Sequence, residues 1–145
     1  MKLRASIAAA GAAVIVGSGA FALPALASSH TTTHTLKFIS VTKKMINFSK
    51  TSVGVQDTDV SKAGKIIGFD EIYGAATSAT TSASNVTVVI KGGMLYGTFT
   101  YNAKTGAITN GKVTGGTGVF KGATGTFAVK AISNNKTAVT VTYTT

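Results

Sequence analysis

From residue 86 onward the chain repeats a two-residue alternation, cut at short intervals by glycine and asparagine, and this pattern restricts it to antiparallel β-structure. Val86, Val88 and Ile90 alternate with Thr87, Val89 and Lys91. Leu95, Gly97, Phe99 and Tyr101 share one face of the next run, and Met94, Tyr96, Thr98 and Thr100 take the other. Phe127, Val129 and Ala131 alternate in the same way with Thr126, Ala128 and Lys130. Successive side chains on a strand point to opposite faces, so a period of two buries one face, whereas a helix requires spacings of three and four. Turn residues that accept positive φ fall between the runs, at Gly92-Gly93, 102–106, Asn110-Gly111, Gly115-Gly116 and Asn134-Asn135. The segments 36–41, 65–73, 86–91, 94–102, 106–114, 117–120, 125–133 and 137–143 therefore predict eight short strands. A Ser/Thr/Ala tract at 75–84 has no core-forming residue and reads as a mobile loop. The single proline, Pro24, precedes all of these segments, so none is barred from the middle of a sheet. Closure removes the exposed edges of such Thr- and Val-rich strands. The expected fold is all-β, a single antiparallel eight-stranded β-barrel.

The N-terminal residues follow a different logic. Lys2 and Arg4 precede an apolar stretch at 7–23, which leads through Pro24 to Ala25-Leu26-Ala27, the charged, apolar and A-x-A order of a secretory signal. Gly11, Gly17, Ser18 and Gly19 dilute that stretch below what a spanning helix needs. Cleavage after Ala27 is expected, giving a signal peptide at 1–27, a flexible mature N-terminus at 28–34, a barrel domain at 35–145 and a secreted, extracellular protein with no transmembrane segment. Of the 145 residues, 118 then remain, enough for one packed domain. The chain has no cysteine, so burial and β hydrogen bonding must supply the stability that disulfides give many secreted domains.

Two of the 14 cationic residues, Lys2 and Arg4, lie in the leader, which leaves twelve lysines against four acids and a mature net charge of +8. Nucleic-acid readers use arginine forks and stacked aromatics. Here the cations are lysines spread singly from Lys37 to Lys136, with only Lys43-Lys44 adjacent. That excludes a nucleic-acid site and predicts a solvated, edge-protecting surface with weak attraction to anionic walls or membranes.

All four acids, Asp57, Asp59, Asp70 and Glu71, lie within fifteen residues of one another. In Phe69-Asp70-Glu71-Ile72-Tyr73 alternation turns one of the two acids inward, which makes Asp70 and Glu71 the candidate catalytic carboxyls. Asp57 and Asp59 read as turn caps. As a calcium loop, Asp57-x-Asp59-x-Ser61 fails, because Lys62 and Gly68 stand where glycine and a bidentate glutamate are needed. A hydrolase triad is also excluded, since the two histidines, His30 and His34, fall at the mature N-terminus and no G-x-S-x-G elbow occurs. Cleavage after Ala27 would expose Ser28-Ser29-His30, a donor set for square-planar Cu(II) or Ni(II) that any third-position histidine supplies and that is read as incidental. The aromatic residues Phe38, Phe69, Tyr73, Tyr96, Phe99, Tyr101 and Phe127 are the candidates to line an apolar cavity, in competition with plain core packing.

One string is more specific than the rest. Lys91-Gly92-Gly93-Met94-Leu95-Tyr96-Gly97, followed by Gly115-Gly116-Thr117-Gly118-Val119-Phe120-Lys121-Gly122-Ala123-Thr124-Gly125, resembles the allene oxide cyclase-like and dirigent-like barrel superfamily, and most closely its short secreted bacterial members. The glycine motif of Gly115, Gly116, Gly118, Phe120 and Gly125 would there join two late strands, and 64–68 resembles an earlier glycine-bounded strand. No helix pattern follows, so a phosphate loop is excluded. The resemblance implies a small apolar molecule held inside the barrel, cofactor-free cyclase, isomerase or dirigent-like chemistry, and a homotrimer. The first strand, Leu36-Lys37-Phe38-Ile39-Ser40-Val41, lacks the aspartate that dirigent-like proteins place at its end, so no catalytic residue transfers. The competing expectation is a non-catalytic surface or matrix protein with a filled barrel and a basic exterior.

Overall fold

A computed structural model describes residues 31–145. The expected signal peptide at 1–27 and the expected Ser28-Ser29-His30 donor set lie outside the described residues. Eight strands, β1 (Thr33–Asn47), β2 (Ser52–Val60), β3 (Ile66–Ala76), β4 (Thr81–Ile90), β5 (Gly93–Asn102), β6 (Ala107–Gly116), β7 (Thr124–Ser133) and β8 (Lys136–Thr144), pair in sequence order. Strand β8 returns antiparallel to β1, with Phe38 opposite Val139, so the sheet closes and leaves no edge. No helix among the described residues is long and apolar enough to cross a membrane.

The expected strand count is right, but the strand list is not. Residues 117–120 form a 3-10 turn, η1 (Gly118–Phe120), instead of a strand. Gly118 sits at φ +59, and a Cβ there would overlap the Gly92 carbonyl oxygen, which also accepts the Val119 amide at 3.0 Å. The turn tips Phe120 into the end of the barrel, 4% exposed and edge-on to Tyr143 at 5.6 Å. Of the other motif positions, Gly115 and Gly116 end β6 and Gly125 lies in β7. The missing eighth strand is β2, whose two aspartates mask its alternation.

Two further expectations are corrected. The tract at 75–84 is a hairpin, because its backbone is paired up to Ala76 and again from Thr81, and the Thr77 and Ser78 hydroxyls bond to Thr81 across the turn. Asn110-Gly111 is a bulge within β6, opposite Phe99 between the Thr98–Lys112 and Thr100–Thr109 pairs, with Asn110 at φ +56. At the N-terminal end, Thr33 and His34 already belong to β1, where His34 stacks on Tyr143 at 5.2 Å.

The core is asymmetric. Phe38, Val88, Leu95, Val113, Phe120, Ala123 and Val141 pack at the η1 end, each large side chain contributing about 1.5–3 kcal/mol by leaving water. Toward the other end the inward face of β7 loosens, from half-buried Phe127 and Val129 to exposed Ala131. Packing thus closes one end and leaves an internal space toward the other.

Candidate functional site in the barrel interior

Alternation on β2 and pairing across β1–β3 assemble a polar cluster on the inner wall. Asp57 and Asp59, two residues apart, both face inward. Asp57 stands directly opposite Asp70 on β3, and Asp59 directly opposite Ser40 on β1. Ser40, Asp57 and Asp70 are 4%, 9% and 4% exposed, and Asp59 is fully buried. Ser40 Oγ lies 2.8 Å from Asp57 Oδ2 and 3.0 Å from Asp70 Oδ2, so its one proton serves two carboxyls. No N–H or hydroxyl reaches Asp57 Oδ1, Asp70 Oδ1 or either Asp59 oxygen.

Like charges crowded together in a dry barrel are unfavourable, and Asp59 and Asp70 respond by holding protons above the ordinary carboxyl range. Burial first, then the charge of Asp70, raise Asp59 from an ordinary 3.8 to about 8. Burial and the Asp57 charge raise Asp70 to about 6, and the Ser40 bond and the neighbouring Asp59 carboxyl act in the opposite direction. At neutral pH the pair therefore carries a proton on Asp59 and a charge on Asp70.

A cavity of about 90 Å³ adjoins the cluster. Ser40, Asp57 and Asp70 line it, Asp59 does not, and most of the remaining lining is apolar, with Phe38, Val88, Leu95, Phe99, Phe127 and Val141. Among the described residues no lysine, arginine or histidine lines it. The volume suits a small ring or short chain and falls well short of the roughly 300–1,000 Å³ of a drug-sized pocket. No group of three or more His, Cys, Asp or Glu among the described residues is placed to hold a metal ion. The wall therefore offers an acid–base pair and apolar contact.

The structure divides the candidate residues. Phe38, Tyr96, Phe99 and Phe127 border the cavity, Phe99 and Phe127 meeting edge-on at 5.8 Å. Phe69 and Tyr73 do not, because their strand parity turns them outward to 49% exposure each, with Tyr73 against Phe48 outside the barrel; Tyr101 shares the inward parity of Leu95 and Phe99 but lies at the far end of β5 beside the 47–53 and 76–82 turns, 38% exposed and off the cavity. Asp70 points inward, and Glu71, its neighbour on the outer wall, takes a bond from Gln56 Nε2 at 3.2 Å and has no access to the cavity. The expectation that Asp57 and Asp59 cap a turn is corrected, since both lie within β2 and on its inner face. Their spacing of two within Val53-Gly54-Val55-Gln56-Asp57-Thr58-Asp59-Val60 carried that information, as did Ser40 at the alternate position after Leu36 and Phe38.

These features define a closed eight-stranded antiparallel barrel with carboxyl groups on its inner wall. No protein-family model and no curated protein matches the chain. Solved structures do match. A pyocyanin demethylase is similar at 15% identity and a TM-score of 0.60, over 76% of this chain and 99% of its own. AbnU, an exo-specific intermolecular Diels-Alderase, is similar at 9% identity and a TM-score of 0.62, over 79% of this chain and 99% of its own. At these identities the likeness is one of fold, and the closed antiparallel barrel is what is shared.

Proposed function

We propose that this protein is a binding barrel for a small, mostly apolar molecule, on which Asp70 performs cofactor-free proton transfer of the isomerase or cyclase kind. The observation that carries the reading is the pair of buried, unpartnered oxygens, Asp57 Oδ1 and Asp70 Oδ1, on the wall of an otherwise apolar cavity. Leaving such groups unpaired costs stability, and perturbed carboxyls in a cavity are a hallmark of functional sites. The two similar folds, described as a demethylase and a Diels-Alderase, support small-molecule chemistry in a barrel of this shape. In the proposed step, the Asp70 carboxylate accepts a proton from one position of the substrate and returns it to another, or stabilises positive charge developing between them. No electron is gained or lost. The phenyl rings of Phe38, Phe99 and Phe127 hold the reacting conformer, and Asp59, which does not touch the cavity, sets the charge of Asp70 through its proton.

Native mass spectrometry of the protein recovered from its own producer tests this reading. The expected spectrum shows a discrete small-molecule mass, lost in the Asp70→Asn variant. Bare protein, whose melting temperature is also unmoved by a panel of small apolar compounds, would refute it.

A further inference from the structure

We infer that the ligand of this barrel carries a cationic nitrogen, an ammonium or protonated heterocycle, seated between Asp57 and Asp70 with its apolar body against Phe38, Phe99 and Phe127. The inference rests on the ligand-binding reading above and specifies the chemical class of ligand.

The argument is one of donors and acceptors. Asp57 and Asp70 present four oxygens, and among the described residues the only side-chain hydrogen bonds that reach them come from the Ser40 hydroxyl. One oxygen of each remains unpartnered although both residues are at least nine-tenths buried. The groups facing them are Ser40 from β1, Asp59 from β2, Val88 from β4 and, one strand further on, Leu95 from β5. Every titratable group in this neighbourhood is an acid. A neutral hydrocarbon would leave both oxygens without a donor, and an anion would be repelled. An ammonium supplies up to three donors together with the missing charge. The volume of about 90 Å³ limits the part held inside to a small ring or short chain.

The test uses three probes with one five-carbon ring: cyclopentylamine, cyclopentanol and cyclopentanecarboxylate, titrated into the protein with amide chemical shifts as readout. Cyclopentylamine is expected to bind at least about tenfold more tightly than the alcohol at pH 7, and the carboxylate not to bind. An alkylammonium stays protonated well above pH 8, as lysine does at about 10.4. A change in its affinity between pH 5 and pH 7 therefore reports on the protein. Ionisation of Asp70 near pH 6 should tighten amine binding by about tenfold over that range and leave the alcohol unchanged. Asp70→Asn should bring the amine down to the level of the alcohol, and Asp57→Asn serves as the second variant should the first not fold. If the alcohol binds as tightly as the amine, the cationic ligand is refuted while the binding barrel stands. If none of the three binds, the binding reading fails as well.

Discussion

Replacing Asp59 by asparagine removes one ionisable proton from the most buried polar position in the molecule while keeping size and shape. In the wild-type protein Asp59 is fully buried and holds its proton up to about pH 8, whereas in the unfolded chain it loses it near 3.8. Between those values the folded state binds one more proton than the unfolded state, so stability falls as pH rises. The slope is about 1.4 kcal/mol per pH unit, and the full span amounts to roughly 6 kcal/mol above pH 8, an upper bound since water entry and side-chain movement reduce it. Asp70 adds a second, shorter descent that ends near pH 6. The informative quantity is therefore the difference in urea-unfolding free energy between Asp59→Asn and wild type at pH 5, 7 and 8.5. The variant should lack the Asp59 slope and gain on the wild type by roughly 2–4 kcal/mol between pH 5 and pH 8.5. A difference that stays constant across this range would show that Asp59 ionises at the same pH in the folded and unfolded chains, and the account of the cluster would be wrong.

Two glycines with left-handed backbones separate conformational strain from steric overlap. Gly106, at φ +69, has nothing within 4 Å of a built Cβ, so Gly106→Ala should cost about 1–2 kcal/mol in thermal or urea unfolding. Gly118→Ala carries the same backbone penalty plus overlap with the Gly92 carbonyl and should cost at least about 2 kcal/mol more. Equal losses would contradict the contact between η1 and the β4–β5 turn. The β6–β7 seam is paired only at Lys112–Thr126 and Val113–Gly125, while β7–β8 is paired along nearly its whole length. Hydrogen exchange should be fastest in the barrel wall for those β7 amides at 127–133 that face β6. Uniform protection around the barrel would rule out this seam as the weak point.

What was legible in the sequence follows from local physics. Alternation in β4, β5, β7 and β8 and the glycine-rich turns specify antiparallel strands, because both are properties of a few consecutive residues. Other features required contacts between residues distant in the chain. Residues 117–120 looked like a strand, and only the approach of Gly118 to Gly92 makes them a turn that plugs the barrel. Strand β2 went unread because aspartate on a period-two face signals a turn unless something pairs it from both sides, as β1 and β3 do here.

The candidate site shows the same division. Sequence alone established that one of Asp70 and Glu71 faces inward, since neighbours on a strand cannot share a face. It could not say which, because that depends on the register between β2, β3 and β4, a parity that one residue of slip would reverse. The tertiary structure chose Asp70, turned Phe69 and Tyr73 to the outside, left Tyr101 at the exposed end of β5, and brought Ser40, Asp57 and Asp59 beside it from two other strands. Chain composition and alternation determined that a barrel would form. Only its closure decided which side chains lie in the low-dielectric interior, and there the same aspartates that would be ordinary surface acids become proton-holding groups around a cavity.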